Sequence, residues 1–271
     1  MNGPRRSSLA VVAAFIALLV APAAASAHPL GNFTINVYAG VRVSQTRITV
    51  DAVLDRAEIP TFQERLRIDT DGDGDVSPDE ADAARAPECE GLERGLVLTL
   101  DGARVALELT AAGVSFPAGA AGLSTMRVVC ELTAPMPSAT ANVKLDDVVE
   151  PNRLGWREIV VEADGVTATP TSGTLRTTSV SDRLRSYPKA LLATPLRETS
   201  VEFTTQPGGP TLPAAVVRDA QPIAGVPQPA ASAPPPATSG RATAAAAVPG
   251  GVGSDIPDIF RVTDLTPAVV L

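Results

Sequence analysis

Twelve consecutive residues, Asp69 to Glu80, combine acidic residue types with a spacing that is typical of a calcium-binding EF-hand loop. Gly74 occupies position 6, where such loops need a sharp turn. The ligand positions hold oxygen-bearing residues, of which the fourth offers its backbone carbonyl: Asp69, Asp71, Asp73, Asp75, Ser77 and Glu80. Calcium takes about six to eight oxygen ligands, so it would convert the mutual repulsion of these carboxylates into favourable coordination. The loop predicts a calcium site, and an acidic turn that binds no metal is the alternative.

The sequence around the loop predicts a helix on each side of it. Ser77 and Glu80 form an S-x-x-E capping box at the start of the outgoing helix. Phe62 and Leu66 lie on one face of a short incoming helix and are expected to pack on the domain. EF-hands usually work in pairs, and the sequence contains no second loop, so we expect a weak dissociation constant of about 0.1–1 mM. Calcium at such a site would be structural.

Residues 1–27 show the three-part pattern of a secretory signal peptide. Arg5 and Arg6 precede an apolar run from Leu9 to Val20, and Ala25-Ser26-Ala27 forms an A-x-A cleavage site. The apolar run is short for a membrane span, so cleavage is favoured over an uncleaved anchor. We therefore expect an exported protein, on the extracellular side of the cytoplasmic membrane or secreted. The formal net charge of −8 argues against nucleic acid as a partner.

His28 is the only histidine of the chain and would become the amino-terminal residue after this cleavage. Its imidazole and free amine would then be available to one transition metal, as an incomplete site. A solvated terminus without metal is the alternative.

The sequence predicts that the protein is not an enzyme. It lacks nucleophile, phosphate-loop and H-E-x-x-H motifs, and a single histidine leaves little room for histidine-based acid-base catalysis. The acidic pair Asp146-Asp147 indicates a solvated strand end rather than a glycosidase dyad.

The chain contains two cysteines, Cys89 and Cys130. In an exported protein the oxidising environment favours a disulfide between them, and two buried free thiols are the alternative. A cross-link that closes a loop of about 40 residues stabilises the folded state by roughly 4 kcal/mol in the chain-entropy model. The bond would join the segment after the calcium loop to a downstream strand.

Residues 28–204 have the pattern of one mainly β domain with a β-sandwich-like fold. The dipeptides Asp101-Gly102 and Asp164-Gly165 predict hairpin turns. The helix-loop-helix insert is expected at residues 59–86, after the second strand. Alternating or β-branched runs indicate strands at Phe33–Val43, Arg47–Leu54, Leu96–Leu100, Arg104–Leu109, Met126–Leu132, Asn142–Leu145, Arg157–Glu162 and Ser200–Thr204.

The composition changes after residue 204. Residues 205–254 are rich in Pro, Ala and Gly, which predicts a disordered linker. Residues 255–271 regain apolar side chains, and we expect them to be the start of a membrane part absent from this sequence, or a free tail.

Five runs carry a resemblance to a known family: His28-Pro-Leu-Gly-Asn-Phe-Thr-Ile-Asn36, Asp55-Arg-Ala-Glu-Ile-Pro-Thr61, Ala121-Gly-Leu-Ser-Thr125, Gly155-Trp-Arg-Glu-Ile159, and Ser181-Asp-Arg-Leu184 with Tyr187-Pro188. Over residues 28–204 they resemble the extracytoplasmic N-terminal region of actinobacterial nickel/cobalt transporter proteins. In that family a Pro-rich linker enters a multi-helix permease, whose membrane histidines and aspartates handle the metal. The resemblance implies a role in Ni²⁺ or Co²⁺ transport, with a membrane permease encoded downstream as the partner.

Two questions stay open at the level of the sequence. The protein is this transport-associated domain, a secreted, envelope-tethered adhesion or scaffolding module, or a periplasmic-type metal carrier that uses His28. Trp156, the only tryptophan, either forms a recognition surface for a permease loop together with Arg157 or anchors a strand in the core.

Overall fold

The structure is a computed structural model that describes residues 28–223. Its elements are β1 (Ile35–Ser44), β2 (Arg47–Arg56), α1 (Glu58–Ile68), α2 (Pro78–Gly95), β3 (Leu96–Leu100), β4 (Ala103–Val105), β5 (Glu108–Ser115), β6 (Met126–Pro135), β7 (Ala141–Asp147), β8 (Arg157–Asp164), β9 (Val166–Pro170), β10 (Ser200–Pro207) and β11 (Gln221–Pro222). Between residues 28 and 223, no helix is long and apolar enough to cross a membrane. The predicted signal peptide and the predicted tail after residue 223 lie outside the described residues.

The strands form two sheets. The six-stranded sheet has the order β11-β5-β6-β2-β1-β8, and the five-stranded sheet has the order β4-β3-β7-β10-β9. Neighbouring strands are antiparallel except β1 and β8, which run parallel. Buried side chains of both sheets share one apolar core, for example Val41 and Val50 of the first sheet with Leu98 and Val143 of the second. The mainly β, sandwich-like fold class is confirmed.

The side chains of β1 alternate between two apolar clusters, one on each face of the six-stranded sheet. Val37 and Val41 point into the core between the sheets, whereas Tyr38 lies on the opposite face. That face carries a second apolar cluster of Tyr38, Val53, Val129, Trp156, Val160 and Leu184. Trp156 is fully buried there (0% exposed), so of the two alternatives for this residue the structure supports a core role and not a recognition surface.

The two predicted hairpin turns have different outcomes. Asp101 and Gly102 join β3 to β4, and their φ values of 50° and 82° are those of a type I′ turn. The Asp164-Gly165 prediction is wrong, because β8 lies in the six-stranded sheet while β9 pairs with β10 in the other. A glycine with positive φ permits a tight turn within a hairpin and also a tight turn between strands of different sheets. The pairing of the flanking strands decides which of these two turns forms.

One predicted strand, Arg104–Leu109, is two strands in the structure. β4 ends at Val105 in the five-stranded sheet, and β5 begins at Glu108 in the six-stranded sheet. Leu107 lies between them and is buried. The alternation of apolar residues continues across the point where the chain changes sheets, so the pattern alone did not reveal that point.

The folded domain extends beyond the predicted boundary at residue 204. β10 continues to Pro207, and β11 pairs with β5. Gly113 permits this approach, because an added Cβ there would lie 1.8 Å from the Asp219 carbonyl oxygen. Residues 205–223 of the predicted linker therefore belong to the domain. A Pro-rich composition argues against a central strand, but an edge segment can still pair through a few backbone groups.

Helix α1 buries a different face from the one predicted. Phe62 and Leu66 are 52% and 68% exposed, so the prediction that they pack on the domain is wrong. The buried residues of α1 are Glu58, Pro60, Thr61 and Ile68. The connection from β2 sets this orientation, since Thr61 Oγ1 donates to the Arg56 carbonyl at 2.9 Å. An i, i+4 pair identifies one face of a helix but does not say which face turns inward.

Helix α2 runs further than the predicted insert at residues 59–86. It continues through Pro87 and leads directly into β3. Cys89 lies on its buried face and forms a disulfide with Cys130 of β6, with a Cα–Cα distance of 5.7 Å. The predicted disulfide is confirmed, and it ties the helix that leaves the acidic loop to the six-stranded sheet.

Candidate functional site

The loop between α1 and α2 brings three of the predicted calcium ligands together. Carboxylate oxygens of Asp69, Asp71 and Asp73 all lie within 4.8 Å of one another. Within residues 28–223, no other group of three or more His, Cys, Asp or Glu ligand atoms meets that distance. Positions 1, 3 and 5 of the loop therefore converge on one point, as the spacing predicts.

Backbone amides of the loop hold these carboxylates inward. Asp69 accepts hydrogen bonds from the Gly72 and Gly74 amides at 2.7 and 2.9 Å, and Asp71 accepts one from the Asp73 amide at 3.1 Å. Gly72 and Gly74 have φ values of 75° and 93°, a region that side chains strongly disfavour. The glycines therefore let the backbone curl around the acidic cluster.

Glu80 at position 12 closes the loop through hydrogen bonds. Its Oε2 accepts from the Ser77 amide and hydroxyl at 3.0 Å, and its Oε1 accepts from the Thr70 amide at 2.6 Å. The capping box predicted for Ser77 and Glu80 is present. The Ser77 amide, followed by the Thr70 hydroxyl and amide, lowers the pKa of the Glu80 carboxyl to about 2. Glu80 is thus ionised, and to bind calcium it would exchange these hydrogen bonds for the ion.

The remaining loop positions are consistent with their predicted roles. The Asp75 side chain is turned to solvent and contacts Arg65 at 3.3 Å, which leaves its backbone carbonyl for position 7. The Asp73 amide favours the ionised Asp71 carboxyl, but the negative charges of Asp73 and Glu80 oppose it and raise the pKa of Asp71. A bound cation would remove this repulsion.

His28 lies in a buried polar group on the outer face of the six-stranded sheet. Its Nε2 is 3.4 Å from Asp55 Oδ2 and 3.2 Å from Asn36 Nδ2, and its Nδ1 is 3.3 Å from Thr34 Oγ1. The side chain is only 5% exposed, so the expectation of a solvated residue is wrong. Residues 28–34 fold over the sheet, and the polar groups of β1 and β2 hold the imidazole there. Metal contact by His28 stays a prediction.

A cavity of about 370 Å³ opens beside His28. Its polar lining includes His28, Asp55, Glu58, Thr125, Arg185 and Tyr187. Sequence reasoning missed Asp55 and Glu58 as candidate site residues. Their only signal is that both fall in one of the runs that carry the family resemblance.

A strained turn forms one wall of this cavity. Asp182, Arg183 and Leu184 have φ values of 46°, 57° and 65°, so three successive non-glycine residues are left-handed, at a cost of roughly 1–2 kcal/mol each. Hydrogen bonds of Arg183 offset part of this backbone strain. Its guanidinium donates two hydrogen bonds to the Asp51 carboxylate at 2.6 and 2.7 Å, and its carbonyl accepts one from Arg127 at 2.6 Å. The turn places Leu184 in the apolar cluster and Tyr187 against His28.

The acidic pair at the end of β7 is divided between surface and interior. Asp146 contacts Lys144 and Ser200 near the surface, at 2.8 and 2.7 Å. Asp147 is buried against Arg157 at 2.6 Å, so the expectation of a solvated strand end is wrong for Asp147. The charge lies inside because Arg157 reaches across from β8 to pair with it.

Four of the five runs that carry the family resemblance line the cavity, and the Gly155–Ile159 run contacts the first of them beside it. The first and second runs meet where His28 contacts Asp55, and the third run supplies Thr125 to the cavity lining. In the fourth run, Trp156 donates its amide to Asn36 of the first run at 2.9 Å. In the fifth, the Tyr187 ring packs edge-on against His28 with a centroid distance of 5.7 Å. No family model, no curated protein and no solved structure matches the chain, so the family assignment stays a proposal.

Proposed function

We propose that this chain is an exported calcium-binding domain in which calcium has a structural role, and that it belongs to, or assists, a nickel/cobalt transport system. The observation that carries the calcium proposal is the convergence of Asp69, Asp71 and Asp73 between two helices. Glu80 adds a fourth carboxylate at the position that closes EF-hand loops.

A structural role follows from what the loop connects. Calcium would fix the end of α1 to the start of α2, and the Cys89–Cys130 disulfide fixes α2 to β6. Both constraints act on the same insert. A lone EF-hand loop of weak affinity is suited to the millimolar calcium of extracellular fluids. Such a site is expected to remain filled rather than to respond to signals.

The transport role rests on the signal-peptide pattern and on the resemblance runs, four of which line the polar cavity beside His28. A permease encoded downstream, in frame or as a neighbouring gene, is the expected partner. The alternative is a secreted, envelope-tethered adhesion or scaffolding module. Recovery of the exported protein with membranes favours the transport role, whereas its presence in the medium alone favours the alternative.

The calcium proposal predicts a ligand-dependent gain in stability. At about ten times the dissociation constant, calcium stabilises the native state by about 1.4 kcal/mol, which corresponds to roughly 3–6 °C in melting temperature. Calorimetry of the wild type at about 10 mM calcium, against chelator, measures this gain. Magnesium is expected to give a smaller one, because it demands a tighter octahedral geometry.

Glu80→Gln is the informative variant, because glutamine can still serve in a capping box but loses the bidentate carboxylate. We expect its melting temperature to be insensitive to calcium. Asp79→Asn is the matched control, since Asp79 is exposed, carries the same charge and lies at a loop position that supplies no ligand. Equal wild-type melting temperatures in chelator and in calcium would show that the loop is only an acidic turn.

A further inference from the structure

We propose that the cavity beside His28 is a second metal site, for a borderline divalent transition ion such as Ni²⁺, Co²⁺ or Zn²⁺, with His28, Asp55 and Glu58 as its ligands. The ligand set alone selects this class of ion. The proposal rests on the proposed transport function in one respect only, since that function explains why the protein would bind such an ion. It is independent of the calcium loop, which lies between α1 and α2 and shares none of these residues.

The first support is a buried carboxylate with an unused oxygen. Glu58 is 0% exposed, and its Oε1 accepts from the Ala120 amide at 2.8 Å. Its Oε2 is buried and has no hydrogen-bond partner among the described residues. A Cβ at Gly119 would lie 2.8 Å from Glu58 Oε1, so a glycine leaves room for this side chain. A buried carboxylate without a partner is costly, and a cation in the adjoining cavity would offset that cost.

The second support is the spacing of His28 and Asp55. Their Nε2 and Oδ2 atoms are 3.4 Å apart. Two ligand atoms on a tetrahedral ion with bonds of about 2.1 Å are separated by the same distance, about 3.4 Å. A well-formed N–H···O hydrogen bond is shorter, about 2.9–3.0 Å. The imidazole is therefore positioned beside Asp55 without a strong bond to it.

Glu58 must complete the site by a side-chain movement. His28, Asp55 and Glu58 do not all lie within 4.8 Å of one another, although all three line the same cavity. Rotation of the Glu58 side chain would bring its free Oε2 towards the other two ligands. The cavity volume of about 370 Å³ leaves space for this movement and for water on the ion.

Neighbouring residues orient the proposed ligands. The Trp156 amide donates to Asn36 Oδ1 at 2.9 Å and places Asn36 Nδ2 3.2 Å from His28 Nε2, a position that the metal would take over from the Asn36 amide group. Thr34 Oγ1 lies 3.3 Å from Nδ1 and would accept its N–H when Nε2 binds the metal. The Tyr187 ring packs edge-on against His28 with a centroid distance of 5.7 Å and closes one side of the site. A hydrogen bond at the ring nitrogen that does not bind the metal is typical of metal-binding histidines.

The donor set separates this site from the calcium loop. An imidazole nitrogen with carboxylate oxygens suits nickel, cobalt and zinc, whereas calcium and magnesium prefer oxygen ligands alone. We therefore expect the cavity to bind Ni²⁺ in the presence of excess calcium.

The test is calorimetric titration of Ni²⁺ into the exported protein, produced without a histidine tag and held in about 10 mM calcium to fill the loop. We expect one high-affinity equivalent. Glu58→Gln, Asp55→Asn and His28→Gln should each weaken binding by at least about tenfold. Glu80→Gln, which alters only the calcium loop, should leave Ni²⁺ binding unchanged.

Cobalt supplies a readout that is specific to the ligand set. Co²⁺ bound to wild type should show visible d–d absorption of a low-symmetry N/O site, and His28→Gln should lose it. Melting curves recorded without metal verify that the variants fold. If a folded variant of His28, Asp55 or Glu58 binds Ni²⁺ as tightly as the wild type, the assignment is overturned. Absence of Ni²⁺ binding, or competition by magnesium at equal concentration, would also overturn it. None of these results would alter the calcium-dependent melting shift, so the two proposals fail separately.

Discussion

Replacing Arg157 with methionine is expected to lower the free energy of unfolding by about 3–5 kcal/mol. The side chains of Arg157 and Asp147 are 3% and 2% exposed and meet at 2.6 Å. Arg157 also donates to the Val149 and Glu150 carbonyls at 2.6 and 3.0 Å. The methionine variant leaves a buried carboxylate without its partner and two carbonyls without their donor. Urea unfolding of the variant and the wild type measures the loss.

A second substitution identifies the cause of that loss. The Val149 amide donates to Asp147 Oδ1 at 2.9 Å. Asp147→Asn, added to Arg157→Met, removes the uncompensated charge and still offers an acceptor to that amide, so it should recover roughly 2 kcal/mol. Burial raises the pKa of Asp147 and Arg157 opposes that rise. Without Arg157 the folded state therefore takes up a proton more readily than the unfolded state, and the loss of stability should shrink as the pH falls.

The matched control is an ion pair of the same strand at the surface. Lys144 and Asp146 meet at 2.8 Å, with side chains 39% and 27% exposed. Lys144→Met should cost at most about 1 kcal/mol, because solvent screens the pair. If Lys144→Met and Arg157→Met were equally destabilising, burial would not be the reason for the importance of Arg157.

Removing the disulfide is expected to cost about 4 kcal/mol. Cys89 and Cys130 are 41 residues apart, so the bond removes much conformational entropy from the unfolded chain. Cys89→Ala and Cys130→Ala should each lower the melting temperature by roughly 8–16 °C. The double variant should be no less stable than either substitution alone, because both remove the same bond.

Reduction of the wild type provides an independent comparison. Melting in the presence of a thiol reductant should reproduce the values of the alanine variants. Titration of the native protein with a thiol reagent should find no reactive cysteine, and two reactive thiols would mean that the disulfide does not form.

Elements determined by neighbouring residues could be predicted from the sequence. The Asp101-Gly102 turn, the alternation of β1 and the capping box of Ser77 and Glu80 depend on contacts within a few residues, and all three occur in the structure. The Cys89–Cys130 bond was predictable for another reason, since two cysteines allow one pairing.

Features determined by distant partners could not be predicted in this way. The inward face of α1, the change of sheet after Asp164 and the pairing of β11 with β5 all depend on which surfaces the rest of the fold leaves open. Composition alone therefore placed the end of the domain too early, and the i, i+4 pair of Phe62 and Leu66 indicated the wrong face.

The two candidate metal sites show the same contrast. The proposed calcium loop is a contiguous motif, so its candidate ligands and the convergence of Asp69, Asp71 and Asp73 follow from spacing. The cavity combines His28 from the first described segment, Asp55 from β2 and Glu58 from α1 with the left-handed turn before Tyr187. No local pattern states that these groups meet, and only the fold brings them together.

Two-dimensional amide NMR of the protein during a calcium titration tests the central claim most directly. Gly74 donates its amide to Asp69 Oδ2 at 2.9 Å, and Thr70 donates its amide to Glu80 at 2.6 Å. When calcium binds both carboxylates, the Gly74 and Thr70 resonances should shift together and saturate in the low millimolar range, and Glu80→Gln should abolish the saturable shift. Spectra that superimpose from zero to about 10 mM calcium would contradict the assignment of this loop as a calcium site.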